Sequence, residues 1–524
     1  VARQTKLKQA RRRFAPGSKL RRMFRVEQLE DRRLMAVGAP PVQDWLSKTV
    51  VPGAIIAKFT PETTSEQIDQ IAAGAGLTIS ETYSSFGNLV ALHTLPGGML
   101  PAESSVAKAA SLWSNPAVVY VEPDMIASEV ARVPNDPLYN PQAPVPPALV
   151  GIGGQQWGLH NTGQTILPLN NNSPAFGYAA TTGADIDAES AWNASTGSKN
   201  VIVAVIDTGI DYNHPDLKAN VWRNPGEIPD GIDNDGNGFI DDIRGWNTVS
   251  RTNDVFDDNG HGTHVSGIIG AIGDNGIGIT GVNWNVTILP IKAANAAGSL
   301  PITATIGAYN YVLALKAKGV DISVINASYG GLGLGGWNFG EFDLVQTISN
   351  AGILFVAAAG NQSTNTDVVP AYPAGYSVPN VISVGASDAN EQPAGFTNYG
   401  PTSVDIMAPG VDILSTVPSW YTGPDTIIQG TGAQRGHYAY FSGTSMASPM
   451  VAGAAALIKS MRPDYTASQI RQTLMDSAER ISTYQDLVNI GARLDIGAAV
   501  QSLPHATVNG FAFEDMNGDG VFNP

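Results

Sequence analysis

The 524-residue chain contains no cysteine. No disulfide can staple it, and no thiolate can bind zinc or attack a substrate. It also lacks any run of about 18 apolar residues, so no membrane span is expected. The apolar core of an ordinary secretory signal is missing as well. A protein exported without disulfides needs another restraint, and bound calcium is one candidate.

What is abundant points to a folded chain of two to four domains. Hydrophobic residues make up 43% and glycine occurs 57 times, which suits a sizeable core with many tight turns. The formal net charge of −16 is uneven. Residues 1–33 hold twelve Lys and Arg against Glu27, Glu30 and Asp31, a charge of +9, so the remainder carries −25. The arm "KQARRRFAPGSKLRRMFR" has a composition that can bind nucleic acid. A targeting region over 1–36 accounts better for it, because an acidic globular region follows, and no nucleic-acid partner is expected. Within this region "LEDRRLMA" resembles a short Leu-Glu-x-Arg-x-Leu-Leu element at the start of some large bacterial surface proteins, which implies a secreted or cell-surface location.

Past Pro40 and Pro41, "GAIIAKF", "TISETYSSF", "LVALHTL" and "AVVYVEP" read as strands. "SEQIDQIAAGAG" and "AESSVAKAASLWSN" read as helices. The order βαββαβ predicts a small α+β domain over 52–128. A Pro- and Gly-rich linker covers 129–155. From 156 to 500, apolar runs such as "NVIVAVID", "VTILPIKA", "DISVINAS", "GILFVAAAG" and "NVISVGAS" alternate with helical patterns. That alternation predicts an α/β fold with a doubly wound, mainly parallel sheet. Its ligand site belongs at the carboxyl ends of the strands, where Asp207, Ser328 and Asn361 fall. The terminal "VNGFAFEDMNGDGVFNP" reads as the start of a further C-terminal module over 505–524, with Asp515, Asn517 and Asp519 alternating as in a calcium loop.

Two histidines three apart in "DDNGHGTHVSGIIGA", His261 and His264, share one helical face and can form either a metal pair or half of a catalytic centre. Asp257 and Asp258 are the nearby carboxylates that a metal pair would need. A strand-end Asp is also a common cap, a Gly-Thr-Ser a common loop, and an Asn after Gly a common left-handed turn. Three motifs far apart in sequence favour catalysis: "VIDTGID" with Asp207, "NGHGTHVSG" with His261 and "FSGTSMASP" with Ser445. Together and in that order they resemble the signatures of the subtilisin-like serine proteases, over roughly Trp157 to Val500.

The resemblance implies a serine endopeptidase acting on polypeptides. Ser445 is its nucleophile, His261 its base and Asp207 the group that holds the imidazole. Asn361 in "AAAGNQ" is implied as side-chain donor to the oxyanion, beside the Ser445 amide. In subtilisin itself, losing that donor costs about 10²–10³ in turnover. The glycines have local reasons: Gly443 lets the chain turn before the nucleophile, and Gly260 and Gly262 keep bulk from the base. Pro449 falls in the early turns of the nucleophile's helix, and His264 has a structural role on the following helix. Sedolisin-like peptidases share a Gly-Thr-Ser signature but use acidic residues where this chain has His261.

The cleft is implied to run along "NASYGG", with Ser328, Tyr329 and Gly330 on one side. Ala358 and Gly360 of "AAAG" line the opposite wall of the primary pocket, and Ala371 stands at its floor. Tyr329 departs from the leucine common at a more distant subsite, and no acidic residue stands out at the pocket floor. The 52–128 segment resembles the family's inhibitory propeptide, which implies a self-processing zymogen inhibited by its own propeptide.

"DGIDNDGNGFIDDIRGWN" carries a second pattern. Asp233, Asp235, Asn237, the Phe239 carbonyl and Asp241 occupy positions 1, 3, 5, 7 and 9 of an EF-like loop. Gly238 stands at 6 and Asp242 follows at 10. Arg244 replaces the closing glutamate. Structural Ca²⁺ is therefore expected here, with no catalytic cofactor. Asp216 with Asn275 of "GDNGIGITG" resembles a second, tight calcium site of the family.

Overall fold

A computed structural model describes residues 50–83, 87–94, 102–125, 132–139, 155–166, 177–332, 338–423, 426–429 and 435–504. The basic arm, most of the linker and the C-terminal module lie outside these residues. The chain divides into two compact units, Val1–Glu129 and Val130–Pro524.

In the first unit, strand β1 (Val50–Phe59) leads to helix α1 (Ser65–Gly74), β2 (Leu77–Tyr83), β3 (Leu89–Thr94), α2 (Ala102–Leu112) and β4 (Val118–Met125). Thr64 starts α1 with a capping box. Its hydroxyl takes the Gln67 amide, and the Gln67 side chain returns to the Thr64 amide. The sheet order is β2-β3-β1-β4, and all its pairs are antiparallel. Alternate residues of β1 (Ile55, Ala57, Phe59) meet Ile68 and Ala72 of α1 and Val106 and Ala109 of α2 in one core.

The second unit is an α/β fold built on a nine-stranded sheet. Its central elements are β5 (Gly197–Asp207), α3 (His261–Gly270), β6 (Asn285–Lys292), α4 (Ile302–Ala317), β7 (Ile322–Ala327), α5 (Phe339–Asn350), β8 (Leu354–Ala358), β9 (Val381–Ser387) and β10 (Ile406–Pro409). The order β10-β9-β8-β7-β5-β6 is parallel throughout. These strands are covered on both faces, which is why they read as continuous apolar runs rather than alternating ones. Along β5, Val203 and Val205 face one core, while Ala204 and Ile206 face the other.

The chain passes from β5 to its neighbour β6 on one side, then returns to place β7 on the other. The strand order therefore reverses between β5 and β7, and a crevice opens at their carboxyl ends. Register aligns those ends: Ala327 of β7 pairs with Ile206 of β5 and with Ala357 of β8. Asp207, Ser328 and Asn361 therefore arrive at one rim. Helix α6 (Thr444–Met461) follows two short strands, β11 (Ile413–Val417) and β12 (Gly436–Phe441), and packs with α3 in the same core.

Candidate active site

The rim opens into a cleft of about 570 Å³. Asp207, His261, Ser445 and Asn361 all line it, with Ser328, Tyr329, Gly330, Ala358 and Gly360. Ala371 is buried and not among the lining residues, whereas its neighbours Tyr372 and Pro373 are.

Asp207 is 4% exposed at the end of β5 and accepts the amide of Thr208 at 2.7 Å. Its Oδ1 lies 2.8 Å from Nδ1 of His261. Burial alone lowers the pKa of the His261 imidazole. The Asp207 charge and hydrogen bond, with a smaller contribution from Asp257, outweigh it, and the pKa is raised. His261 opens α3, which approaches β5 so closely that a Cβ on Gly262 would stand 2.2 Å from the Gly209 carbonyl. Only glycine fits there. Asp257 secures the turn before the histidine by accepting the amides of Asn259 (3.0 Å), Gly260 (2.9 Å) and Thr263 (2.9 Å) and the Thr208 hydroxyl (2.8 Å).

His264 follows on the same helix and packs on β11 and β12, not on the following helix. Its Nε2 lies 3.0 Å from the carbonyls of both Ile413 and Ala439. Its ring stacks on Phe441 with centroids 4.3 Å apart. Burial pushes its pKa down to about 3. Asp258 forms an ion pair with Lys292 at 2.5 Å. The metal-pair alternative thus loses one histidine to packing and both aspartates to other partners.

Ser445 is the second residue of α6, and its amide belongs to the first turn, which a helix leaves without an intrahelical acceptor. Pro449 stands four residues on, one turn too late for its missing N–H to cost nothing. It removes the donor that the Ser445 carbonyl would otherwise receive. The Ser328 hydroxyl donates to that carbonyl instead, at 2.9 Å. Ser445 Oγ in turn donates to the Ser328 carbonyl at 3.1 Å. Gly443 is extended (φ 163°, ψ 161°), a conformation open to any residue. No turn calls for glycine here; a Cβ would stand 3.3 Å from Asn361 Nδ2, a tight contact.

The acidic loop brings three carboxylates together, Glu227, Asp233 and Asp235, with oxygens within 4.8 Å of one another. Glu227 was not apparent from the sequence; its signal is an acid six residues before the loop in the same Pro- and Gly-rich run. Asn237 turns its amide nitrogen toward Asp235 (3.1 Å) and Asp242 (3.0 Å). Asp242 is buried, and also accepts from the Tyr311 hydroxyl at 2.6 Å and from Asn224 at 2.7 Å. Asp241 faces the amides of Asp230 and Gly231. Phe239 packs edge-on against Trp246 and Tyr311.

Asp216 is fully buried and accepts from Asn275 (2.8 Å), the Ile279 amide (3.1 Å) and the Tyr438 hydroxyl (2.9 Å). A second buried acid, Asp136, binds the same loop through the amides of Asp274 and Asn275. Burial, together with the neighbouring charge of Asp136, raises Asp216 to about 8; burial raises Asp136 to about 7. These donors satisfy the two carboxylates in the structure, and carboxylate oxygens are the ligand type that a hard cation takes.

The Subtilase family model matches residues 198–510. The chain is 35% identical over 372 residues to "Thermophilic serine proteinase" of Bacillus sp. (strain AK1), covering 71% of this chain and 70% of that one. It is 37% identical over 301 residues to "Subtilisin DY" of Bacillus licheniformis, covering 56% of this chain and 90% of that one. It is 33% identical over 324 residues to "Subtilisin-like protease 1" of Plasmodium berghei (strain Anka), covering 57% of this chain. The chain spans 49% of the length of that Plasmodium relative. With its doubly wound sheet and with Asp207, His261 and Ser445 gathered in one cleft, the chain belongs to the subtilase family of subtilisin-like serine endopeptidases.

Proposed function

We propose that this chain hydrolyses peptide bonds by an Asp207–His261–Ser445 triad through an acyl-enzyme. The observation that carries the reading is the 2.8 Å bond between Asp207 and His261 in the cleft that Ser445 also lines. Rotation of the Ser445 side chain moves its hydroxyl from the Ser328 carbonyl to His261 Nε2. The imidazole takes the proton as Oγ attacks the substrate carbonyl, and Asp207 stabilises the imidazolium. The oxyanion is received by the Ser445 amide and Asn361 Nδ2. Collapse breaks the C–N bond, and the leaving amine takes the proton from His261. A water then repeats the sequence and releases the acid. The test is labelling with a fluorophosphonate and cleavage of an unbiased peptide library. Labelling of wild type but not of Ser445→Ala, with turnover, supports the reading; a folded wild type that neither labels nor cleaves overturns it.

The separate unit over residues 50–125 serves as the inhibitory propeptide of a zymogen, and the chain works outside the cytoplasm. The βαββαβ order of that unit and the resemblance of "LEDRRLMA" support these two readings. Calcium is held structurally by Glu227, Asp233 and Asp235, and by Asp136 and Asp216. The all-oxygen donor sets fit it, since among the described residues no ion pair neutralises any of these five carboxylates.

A further inference from the structure

Glu341 also lines the cleft. It lies in the first turn of α5, after the N-cap Asn338, whose Oδ1 accepts the Glu341 amide at 3.0 Å. An acid at that place is ordinarily solvated and serves the helix dipole. This one is 4% exposed. Its Oε1 accepts from the Tyr309 hydroxyl at 3.1 Å and its Oε2 from the Tyr376 hydroxyl at 2.9 Å. The Tyr309 hydroxyl is 2.9 Å from that of Tyr329, on the cleft-edge segment that follows β7. Leu300, Ile302 and Thr305 line the same cleft.

A buried carboxylate is costly unless a cation or enough donors compensate it. Burial pushes the Glu341 pKa up, and the tyrosine hydroxyls only partly oppose this. Among the described residues no Lys, Arg or His forms an ion pair with it. Two donors also leave acceptor capacity on a group with about four lone-pair positions. Leu300, Ile302 and the Tyr329 ring offer apolar surface for an alkyl stem, as long cationic side chains require. The chain's net charge of −16 favours approach of cationic peptides.

We propose that Glu341, with Tyr309, Tyr329 and Tyr376, makes this part of the cleft a subsite for a Lys or Arg side chain of the substrate. The cationic head meets the Glu341 carboxylate while its stem lies along Leu300 and Ile302. This subsite rests on the proteolytic reading above, and it is a specificity determinant rather than part of the bond-breaking machinery.

The test uses the full chain as expressed and fluorogenic peptides in which Lys, norleucine and Glu are scanned through four residues on each side of the cleaved bond. Wild type is expected to favour Lys over norleucine at one position by about tenfold or more in kcat/KM. Glu341→Gln should collapse that ratio, and Glu341→Leu should invert it toward norleucine. A wild type that cleaves peptides without a basic preference at any position overturns the subsite, whatever the variants do. So does a basic preference that survives in a folded Glu341→Gln. A wild type that cleaves no peptide and takes no fluorophosphonate label is a failure of the proteolytic reading itself, and is thereby told apart from failure of the subsite.

Discussion

Asn361 and Thr444 meet twice: the Thr444 amide and the Thr444 hydroxyl each donate to Asn361 Oδ1 at 2.9 Å. A backbone amide can only donate, so the side-chain oxygen is committed to Thr444. The Nδ2 group is left for the cleft, where the proposed mechanism places the oxyanion. The side chain is thus oriented as a donor before any substrate arrives, and orientation in advance is what makes such a group effective.

Asn361→Ala is expected to lower kcat by about 10²–10³ with little change in KM. Because it also removes an acceptor at the start of α6, stability should drop by about 1 kcal/mol. Asn361→Asp keeps the acceptor for Thr444 but puts an anion beside the oxyanion. It should retain the melting temperature better than Asn361→Ala while losing more activity. Steady-state kinetics and thermal unfolding of both variants check this.

In the proposed mechanism His261 must be neutral to accept the Ser445 proton, and the Asp207 carboxylate raises its pKa. The acid limb of kcat/KM should therefore have its midpoint above the ordinary histidine value of about 6.5. Asp207→Asn should move that limb down and cost about 10⁴-fold in kcat. A pH–rate profile of wild type and variant tests both statements.

Calcium and pH should be linked through Asp136 and Asp216. Their folded pKa values, about 7 and about 8 without a cation, lie above the unfolded value of about 3.9. The folded state then keeps protons that the unfolded state has released. Stability from this source is full below about pH 4 and is lost as pH rises through 7 and 8. Calcium replaces the protons and removes the loss. In Ser445→Ala protein, a chelator should lower the melting temperature more at pH 8 than at pH 6, and Asp216→Asn should shrink that difference.

At the acidic loop, Glu227→Gln should weaken the calcium response of the melting temperature as much as Asp233→Asn does, because both carboxylates belong to one group. Asp241→Asn should weaken it less, since its oxygens face the amides of Asp230 and Gly231.

Maturation is read by intact mass. Wild type should cut itself between Val121 and Gln156, and Ser445→Ala should remain full length in a protease-free preparation. Equal maturation of the two would remove Ser445 from the processing step.

The sequence by itself determined the sheet and the candidate catalytic residues. Buried parallel strands are apolar on both faces, so β5, β7 and β8 stand out as runs, and the residues at their carboxyl ends fall at a predictable rim. The glycine-flanked Asp207, His261 and Ser445 motifs are local and survive as short strings. Tertiary structure decided what depends on approach between distant segments. Gly443 stands close to Asn361, 82 residues away in sequence, and makes no turn that calls for glycine. The gap that Pro449 leaves in its helix is filled by Ser328. Asp136 joins Asp216, Glu227 closes on Asp233 and Asp235, and Glu341 reaches the cleft between tyrosines from three segments. Asp136 and Glu341 sit in no motif that marks them, because a buried carboxylate takes its meaning from partners that only folding brings within hydrogen-bond distance.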